Sequence, residues 1–120
     1  MKSSRADQVR IYHNPRCTKS RQTLALIRER GIEPEVIEYL KSPPSAAEIK
    51  TLIDQLGVEP HALLRKGEAP YSELGLSPKS SKAEVARAIA EHPILLERPV
   101  VVAGNKAVIG RPPERALEIL

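Results

Sequence analysis

The opening 40 residues constrain the fold more than any other part of the chain, because they alternate between two kinds of secondary structure. The stretch "VRIY", residues 9–12, is rich in residues that favour strands. Good helix formers dominate residues 18–30, and Gly31 is a natural helix stop. "EVIEYL", residues 35–40, is again typical of a strand. A strand, a helix and a second strand predict a right-handed parallel unit, so the chain begins as an α/β protein.

Two capping-box patterns predict helices in the middle of the chain. Ser45 with Glu48, and Ser81 with Glu84, have the spacing at which a serine hydroxyl and a glutamate carboxylate satisfy the amides of a first helical turn. Apolar residues at helical spacing follow the first pattern, and that helix is expected to end at Gly57.

The last third of the chain predicts a hairpin followed by a helix. Residues 58–80 are rich in Pro, Gly and charge, with a short helical stretch expected around "HALLR". "VVVA", the turn pair Gly104 and Asn105, and "AVI" together predict a β-hairpin. Pro112 and Pro113 are expected to start a last helix, "ERALEIL". The resulting order is β-α-β, a helical middle, then β-β-α.

Length and composition favour one small domain and exclude several functions. The 120 residues fit a single domain over residues 9–120 with a helical insertion at about 45–96, after a flexible leader at 1–8. With no Phe or Trp and only 3 Tyr, the chain can hardly stack nucleobases, so no nucleic-acid partner is expected. No apolar run approaches the roughly 20 residues that span a bilayer, and the start lacks the apolar core of a signal peptide. We therefore expect a cytoplasmic protein without a membrane partner.

The single cysteine, Cys17, lies in the basic stretch "HNPRCTKSR" at the start of the first predicted helix. The pKa of a thiol falls at a helix N-terminus and near cations, and the amides of the same turn bind anions. His13 is placed to carry a proton or hydrogen-bond the thiolate, and the Ser20 hydroxyl is placed to donate to it. These roles require an exposed thiol. The alternative interpretation is a buried cysteine that packs as a small hydrophobe.

Two familiar cysteine motifs are excluded by counting. The phosphatase pattern C-x5-R requires arginine at position 23, which is Thr23. The dithiol pattern C-x-x-C requires cysteine at position 20, which is Ser20. Only the one-thiol form C-x-x-S remains, so a redox reaction at Cys17 needs a second thiol from glutathione or a partner protein.

Three arginines stand at predicted element boundaries: Arg65 after "HALL", Arg98 before the hairpin and Arg111 after it. Their planar guanidinium groups suit bidentate binding of an oxyanion if they converge at one end of the sheet. From the residues alone, an ordinary surface charge is the favoured interpretation of each.

Several separated motifs, in order, resemble the glutaredoxin-coupled arsenate reductase family from Val9 to Leu120. They are "IYHNPRCTKSRQTLALI", "EVIEYLKSPPS", "ALLRK", "HPILLERPVVV" and "IGRPPE". The resemblance implies a thioredoxin-like fold with a four-stranded mixed sheet and a helical insertion, which agrees with the order of elements predicted above.

The resemblance also implies roles for particular residues. The nucleophile falls on Cys17, the histidine that helps to keep it ionised on His13, and the serine that hydrogen-bonds the sulfur on Ser20. The arginines that bind the oxyanion fall on Arg65, Arg98 and Arg111, with a further motif arginine at Arg21. The bond between Arg98 and Pro99 is implied to be cis.

The family reaction reduces arsenate to arsenite through a cysteine-arsenate intermediate. The resemblance implies arsenate or a similar oxyanion as substrate, no bound cofactor or metal, glutathione as the reducing cosubstrate and glutaredoxin as a partner. The chain departs from the family pattern Gly-Thr-Ser-Arg after the cysteine, since it has Thr18 and Lys19 before Ser20 and Arg21, which is closer to an arsenate reductase-like subgroup.

Two alternative functions stay open. One is a monothiol thioredoxin-like oxidoreductase that acts on glutathione mixed disulfides or on another oxyanion. The other is a non-catalytic regulator that binds RNA polymerase, as a related family of similar fold does; the serine at position 20 counts against a dithiol switch, though not against binding.

Overall fold

The computed structural model describes residues 9–120, so the leader predicted at residues 1–8 lies outside the described residues. The described chain divides into two compact units. The first unit comprises residues 9–39 and 98–120, and the second comprises residues 40–97. The helical insertion predicted at about 45–96 falls within the second unit.

The first unit contains a four-stranded mixed sheet, as predicted. Its strands are β1 (Val9–His13), β2 (Glu35–Glu38), β3 (Val100–Ala103) and β4 (Lys106–Ile109). Their order across the sheet is β2-β1-β3-β4. β1 pairs in parallel with β2 and antiparallel with β3, and β3 pairs antiparallel with β4. β2 ends two residues earlier than the sequence predicts, because the chain enters a turn at Tyr39 and Leu40.

An aliphatic core joins the sheet to helix α1 (Thr18–Glu29). Ile11 of β1, Ile27 of α1 and Val101 of β3 are fully buried in this core. Aliphatic side chains and alanine therefore supply the buried apolar area that usually stabilises such a unit.

The last helix forms over Pro113–Ile119, where the sequence predicts a helix, but it is a 3₁₀ helix. Its amide-to-carbonyl bonds span three residues, as in the 3.0 Å bond from Arg115 N to Pro112 O.

The second unit is helical. It contains α2 (Ala46–Leu56), α3 (Ala69–Glu73) and α4 (Lys82–Glu91), with 3₁₀ turns at Pro60–Leu63 and Pro93–Leu95. The sequence did not predict α3, which has only five residues and carries Pro70 in its first turn. Within residues 9–120, no helix combines the length and apolar character needed to cross a bilayer.

Both predicted capping boxes are present in the second unit. Ser45 Oγ accepts the Glu48 amide at 3.1 Å, while Glu48 Oε1 accepts the Ser45 amide at 2.8 Å. Ser81 and Glu84 repeat this exchange at 3.1 and 2.7 Å. Gly57 ends α2 in the left-handed conformation, with φ of 65°.

Candidate functional site

Cys17 is the N-cap residue of α1, as the sequence predicts. Hydrogen bonds to Asn14 stabilise the short loop that connects the end of β1 to Cys17. The Asn14 carbonyl accepts the Cys17 amide at 2.9 Å, and Asn14 Oδ1 accepts the Arg16 amide at the same distance. The Asn14 amide in turn donates to Ser20 Oγ at 3.1 Å. The sequence indicated only that Asn14 breaks the strand, although an Asn-Pro pair is also typical of side-chain-bonded turns.

The Cys17 side chain is less accessible than the activated-thiol interpretation assumed. Cys17 is only 9% exposed, and its backbone is tied to the Asn14 turn by the bond from its amide to the Asn14 carbonyl. Its surroundings nevertheless differ from those of a purely structural cysteine. Arg111 Nη2 lies 3.9 Å from Cys17 Sγ, although 94 residues separate the two in sequence. A guanidinium group therefore lies beside the sulfur.

Arg111 is held in place by the chain segment that precedes β3. Its Nε donates to the Arg98 carbonyl oxygen at 2.8 Å. Both residues precede a cis proline, at Arg98-Pro99 and at Arg111-Pro112. The first cis bond is the one that the resemblance implies, whereas the second was not predicted. The Arg98 main chain therefore fixes the guanidinium that approaches the thiol.

His13 and Ser20 form a buried pair beside this loop. His13 Nδ1 lies 2.6 Å from Ser20 Oγ, and His13 is only 6% exposed. Burial is the main cause that lowers the pKa of His13 below its ordinary value of 6.5; Glu38 opposes this shift, while Arg28 and Arg21 add to it. A neutral imidazole is favoured, and its tautomer decides whether Nδ1 accepts from the Ser20 hydroxyl or donates to it; Ser20 Oγ also accepts the Asn14 amide.

This arrangement gives Ser20 a different set of contacts from the sulfur bond that the resemblance implies. The recorded partners of Ser20 Oγ are His13 Nδ1 and the Asn14 amide. In the protonated imidazole both nitrogens donate, so Nδ1 then donates to Ser20 Oγ. The Ser20 hydroxyl hydrogen would then be available to another acceptor. The tautomer and protonation of His13 therefore decide whether the Ser20 hydroxyl donates to His13 or to another group.

Arg21 holds the loop from the outside. Its Nη1 donates to the Pro15 carbonyl at 2.8 Å, and its Nη2 donates to Thr18 Oγ1 at 3.2 Å. Together with His13 and Pro15, it lines an open groove of about 640 Å³ along α1. The structure thus places Arg21 as a clamp across the residues that flank Cys17.

Arg65 belongs to the second unit, and its recorded contacts lie within that unit. Its Nη1 lies 2.9 Å from Glu68 Oε2, and its Nε lies 3.9 Å from Glu97 Oε1. The Arg65 amide donates to the Leu95 carbonyl at 2.8 Å, so the backbone is also anchored. Its side chain is 27% exposed, which leaves the guanidinium partly open to solvent. The role of Arg65 in substrate binding stays a prediction from its motif.

The first unit therefore combines a thiol, the amides of a helix N-terminus and a guanidinium group. The first turn of α1 contains no acidic residue, and the Cys17 side chain makes no capping bond to it. Such a turn favours a bound anion, and Arg111 supplies a second cationic contact. Among residues 9–120, no group of three or more His, Cys, Asp or Glu side chains is arranged to hold a metal ion. The arrangement is suited to bring an oxyanion against a sulfur nucleophile.

Comparison with known proteins gives consistent similarities over almost the whole chain. Residues 12–119 match the ArsC family. The uncharacterized protein YfgD of Escherichia coli is 50% identical over 115 residues, which is 94% of this chain and 97% of that protein. An arsenate reductase of Neisseria meningitidis is 45% identical, with 94% and 98% of the two chains covered. The solved structure of an arsenate reductase from Vibrio cholerae is 52% identical with a TM-score of 0.88, covering 93% of this chain and 97% of that one.

Proposed function

The chain belongs to the ArsC family, and from that premise we propose that it is an arsenate reductase in which Cys17 is the nucleophile. The observation that carries this proposal is the position of Cys17 at the N-terminus of α1, with Arg111 Nη2 3.9 Å from its sulfur. The similarity to arsenate reductases of Neisseria meningitidis and Vibrio cholerae supports arsenate as the oxyanion. The fold is the thioredoxin-like fold of that family.

The first step is attack of the Cys17 thiolate on arsenic. A sulfur-arsenic bond forms, an arsenic-oxygen bond breaks, and the hydroxyl group leaves as water once it takes up a proton. The uncapped amides of the first turn of α1 and the Arg111 guanidinium hold the arsenate oxygens, because both groups favour negative charge. Arsenic is still pentavalent in this adduct.

Two external thiols complete the reduction. Glutathione adds to arsenic and displaces a second hydroxyl group as water. A glutaredoxin thiolate then attacks the glutathione sulfur, and a mixed disulfide between glutaredoxin and glutathione leaves. The electron pair of the broken bond between arsenic and the glutathione sulfur stays on arsenic, which becomes trivalent. The trivalent arsenic that remains on Cys17 is released as arsenite by hydrolysis. The single cysteine of the chain fits this scheme, since no second thiol is available within it.

The remaining predicted site residues have supporting roles. The His13-Ser20 pair and the Arg21 clamp shape the loop around Cys17 through the hydrogen bonds described above. Arg65 and Arg98 are assigned to the oxyanion and the reaction intermediates by their motifs. The reaction places the protein in a cytoplasmic compartment, because that is where cells keep glutathione reduced.

Arsenite release provides the direct test. The full chain is incubated with arsenate, glutathione, glutaredoxin and a system that regenerates reduced glutathione. We expect turnover with the wild type and none with Cys17→Ser, since a serine hydroxyl at neutral pH is a far weaker nucleophile than a thiolate. Matching thermal unfolding of the two proteins is the control for folding.

Two results would contradict the proposal. Equal arsenite release by Cys17→Ser would show that Cys17 is not the nucleophile. No release by the wild type with an active glutaredoxin would reject arsenate reduction. Glutathionylation of Cys17 without turnover, seen by mass spectrometry, would then favour the monothiol oxidoreductase.

A further inference from the structure

Gly110, the residue between β4 and Arg111, occupies a space that no larger residue fits. A Cβ atom built on Gly110 would lie 2.8 Å from Thr23 Oγ1 and 2.9 Å from Pro99 Cγ. It would also lie 3.2 Å from Thr23 Cγ2. The backbone of Gly110 is outside the left-handed region, so the constraint is packing and not conformation. Two contacts below 3.0 Å require one of the neighbours, or residue 110 itself, to move.

The neighbours are poorly able to move. Thr23 is fully buried, and its Oγ1 donates to the Lys19 carbonyl at 2.8 Å within α1. Rotation of its β-branched side chain would break that bond and would also move its Cγ2 methyl group within the buried site. Pro99 is buried, its ring is rigid, and its carbonyl accepts the Gly110 amide at 2.8 Å. A side chain at position 110 would therefore displace the backbone of residue 110.

Arg111 follows directly and would be displaced with it. The Arg111 guanidinium reaches Cys17 Sγ at 3.9 Å only while its Nε stays bonded to the Arg98 carbonyl at 2.8 Å. We propose that Gly110 is a positioning residue that sets the distance between the Arg111 guanidinium and the Cys17 sulfur through its close packing on Thr23 and Pro99. This inference rests on the proposed roles of Cys17 and Arg111 and extends them to a residue that touches neither the sulfur nor the substrate.

The size of the effect follows from the size of the overlap. Relief of a 2.8 Å contact to ordinary van der Waals distance, at least 3.4 Å, needs a shift of about 0.6 Å. Because misplacement of a reacting group by about 1 Å can cost on the order of 100-fold in rate, we expect Gly110→Ala to lower kcat/KM for arsenate about tenfold. Thr23→Ala removes two of the three close contacts, so the double variant Thr23→Ala/Gly110→Ala should recover part of that loss.

The chain offers a matched control at Gly67. Among residues 9–120, no atom outside Gly67 and its two chain neighbours lies within 4 Å of a Cβ built on Gly67, and its φ is not left-handed. Gly67→Ala therefore makes the same chemical change without overlap. We expect it to leave kcat/KM and the alkylation of Cys17 unchanged.

The decisive experiment tests whether Gly110 acts through Arg111. Gly110→Ala is made in the wild type and in an Arg111→Ala background, and three quantities are measured: kcat/KM, the rate of Cys17 alkylation by iodoacetamide, and Tm. In the wild-type background we expect about a tenfold loss of kcat/KM and an altered alkylation rate, because the guanidinium beside the sulfur is displaced. In the Arg111→Ala background we expect Gly110→Ala to change kcat/KM by less than a further twofold. The loss of Tm caused by Gly110→Ala should be the same in both backgrounds.

Two results would overturn the inference. One is an equal fold-loss of kcat/KM in both backgrounds, which would mean a general structural defect. The other is a folded Gly110→Ala variant with unchanged kcat/KM and unchanged alkylation of Cys17. If Gly110→Ala does not fold, the same comparison is made with Thr23→Ala/Gly110→Ala, whose loss of kcat/KM must still be smaller in the Arg111→Ala background. Alkylation needs no arsenate, so the Gly110 inference can be judged even if the wild type fails to reduce arsenate.

Discussion

Removal of the Arg111 guanidinium is the perturbation whose effect can best be estimated from the structure. Opposite unit charges about 4 Å apart attract by about 1 kcal/mol in water and about 4 kcal/mol at the effective dielectric near a protein surface. Arg111 Nη2 lies 3.9 Å from Cys17 Sγ, but the arginine side chain is exposed, which places the attraction in the lower half of that range. In the transition state the same guanidinium faces the negative charge shared by the sulfur and the arsenate oxygens, and a loss of roughly 1.5–2 kcal/mol there corresponds to a decrease of about 10- to 30-fold in kcat/KM.

Arg111→Ala should therefore lose about 10- to 30-fold in kcat/KM for arsenate in the assay with glutathione and glutaredoxin. Arg111→Lys should recover part of the loss, because lysine keeps the charge but not the guanidinium that bonds Arg98 O. Arg115→Ala is the matched control: it removes the same charge from the same segment, where Arg115 forms an exposed pair with Glu118. Activity of Arg111→Ala within twofold of the wild type, or an equal loss in Arg115→Ala, would refute the reasoning.

Two further predictions concern stability. The lowered pKa of His13 means that the unfolded chain binds its proton more readily, so His13 contributes stability above about pH 6.5 that is lost as the pH falls towards its folded-state pKa. Urea unfolding of His13→Asn between pH 8 and pH 5 should show a smaller acid-dependent loss than the wild type; an identical pH dependence would contradict this. Ser45→Ala should lower the free energy of unfolding by about 1 kcal/mol through loss of its cap on α2, while Ser42→Ala, at an exposed serine before the helix, should change it little. Equal effects of the two serine variants would show that the cap does not stabilise the protein measurably.

Local sequence patterns predicted a helix or strand well where the groups that stabilise it lie within one short segment of the chain. Both capping boxes formed, because the serine and the glutamate lie three residues apart and meet wherever the helix forms. The short helix Ala69–Glu73 escaped prediction because it carries too few residues to show a periodic pattern. A helix was predicted at Pro113–Ile119, but its 3₁₀ form was not. Local sequence patterns indicate that a segment is helical, but they do not distinguish hydrogen bonds that span three residues from those that span four.

The candidate site was predicted in part. The sequence located Cys17 at the start of a helix, since the helix formers and the Asn-Pro break are its neighbours. It did not predict the bond between Ser20 and His13, which depends on how β1 and α1 pack side by side. The resemblance supplied the importance of Arg111, and the structure gave its distance from the sulfur.

The sequence by itself determined the order of the strands and of the longer helices, the end of α2 at Gly57 and the presence of one thiol at a helix N-terminus. These features depend on residues within a few positions of one another, where chain connectivity keeps the partners together. Only the tertiary structure decided how far Cys17 is buried, which group faces its sulfur and why a glycine precedes Arg111. Those features depend on contacts between Cys17 or Thr23 in the first helix and residues some 90 positions later, and such contacts exist only once β3 and β4 have joined the sheet beside β1.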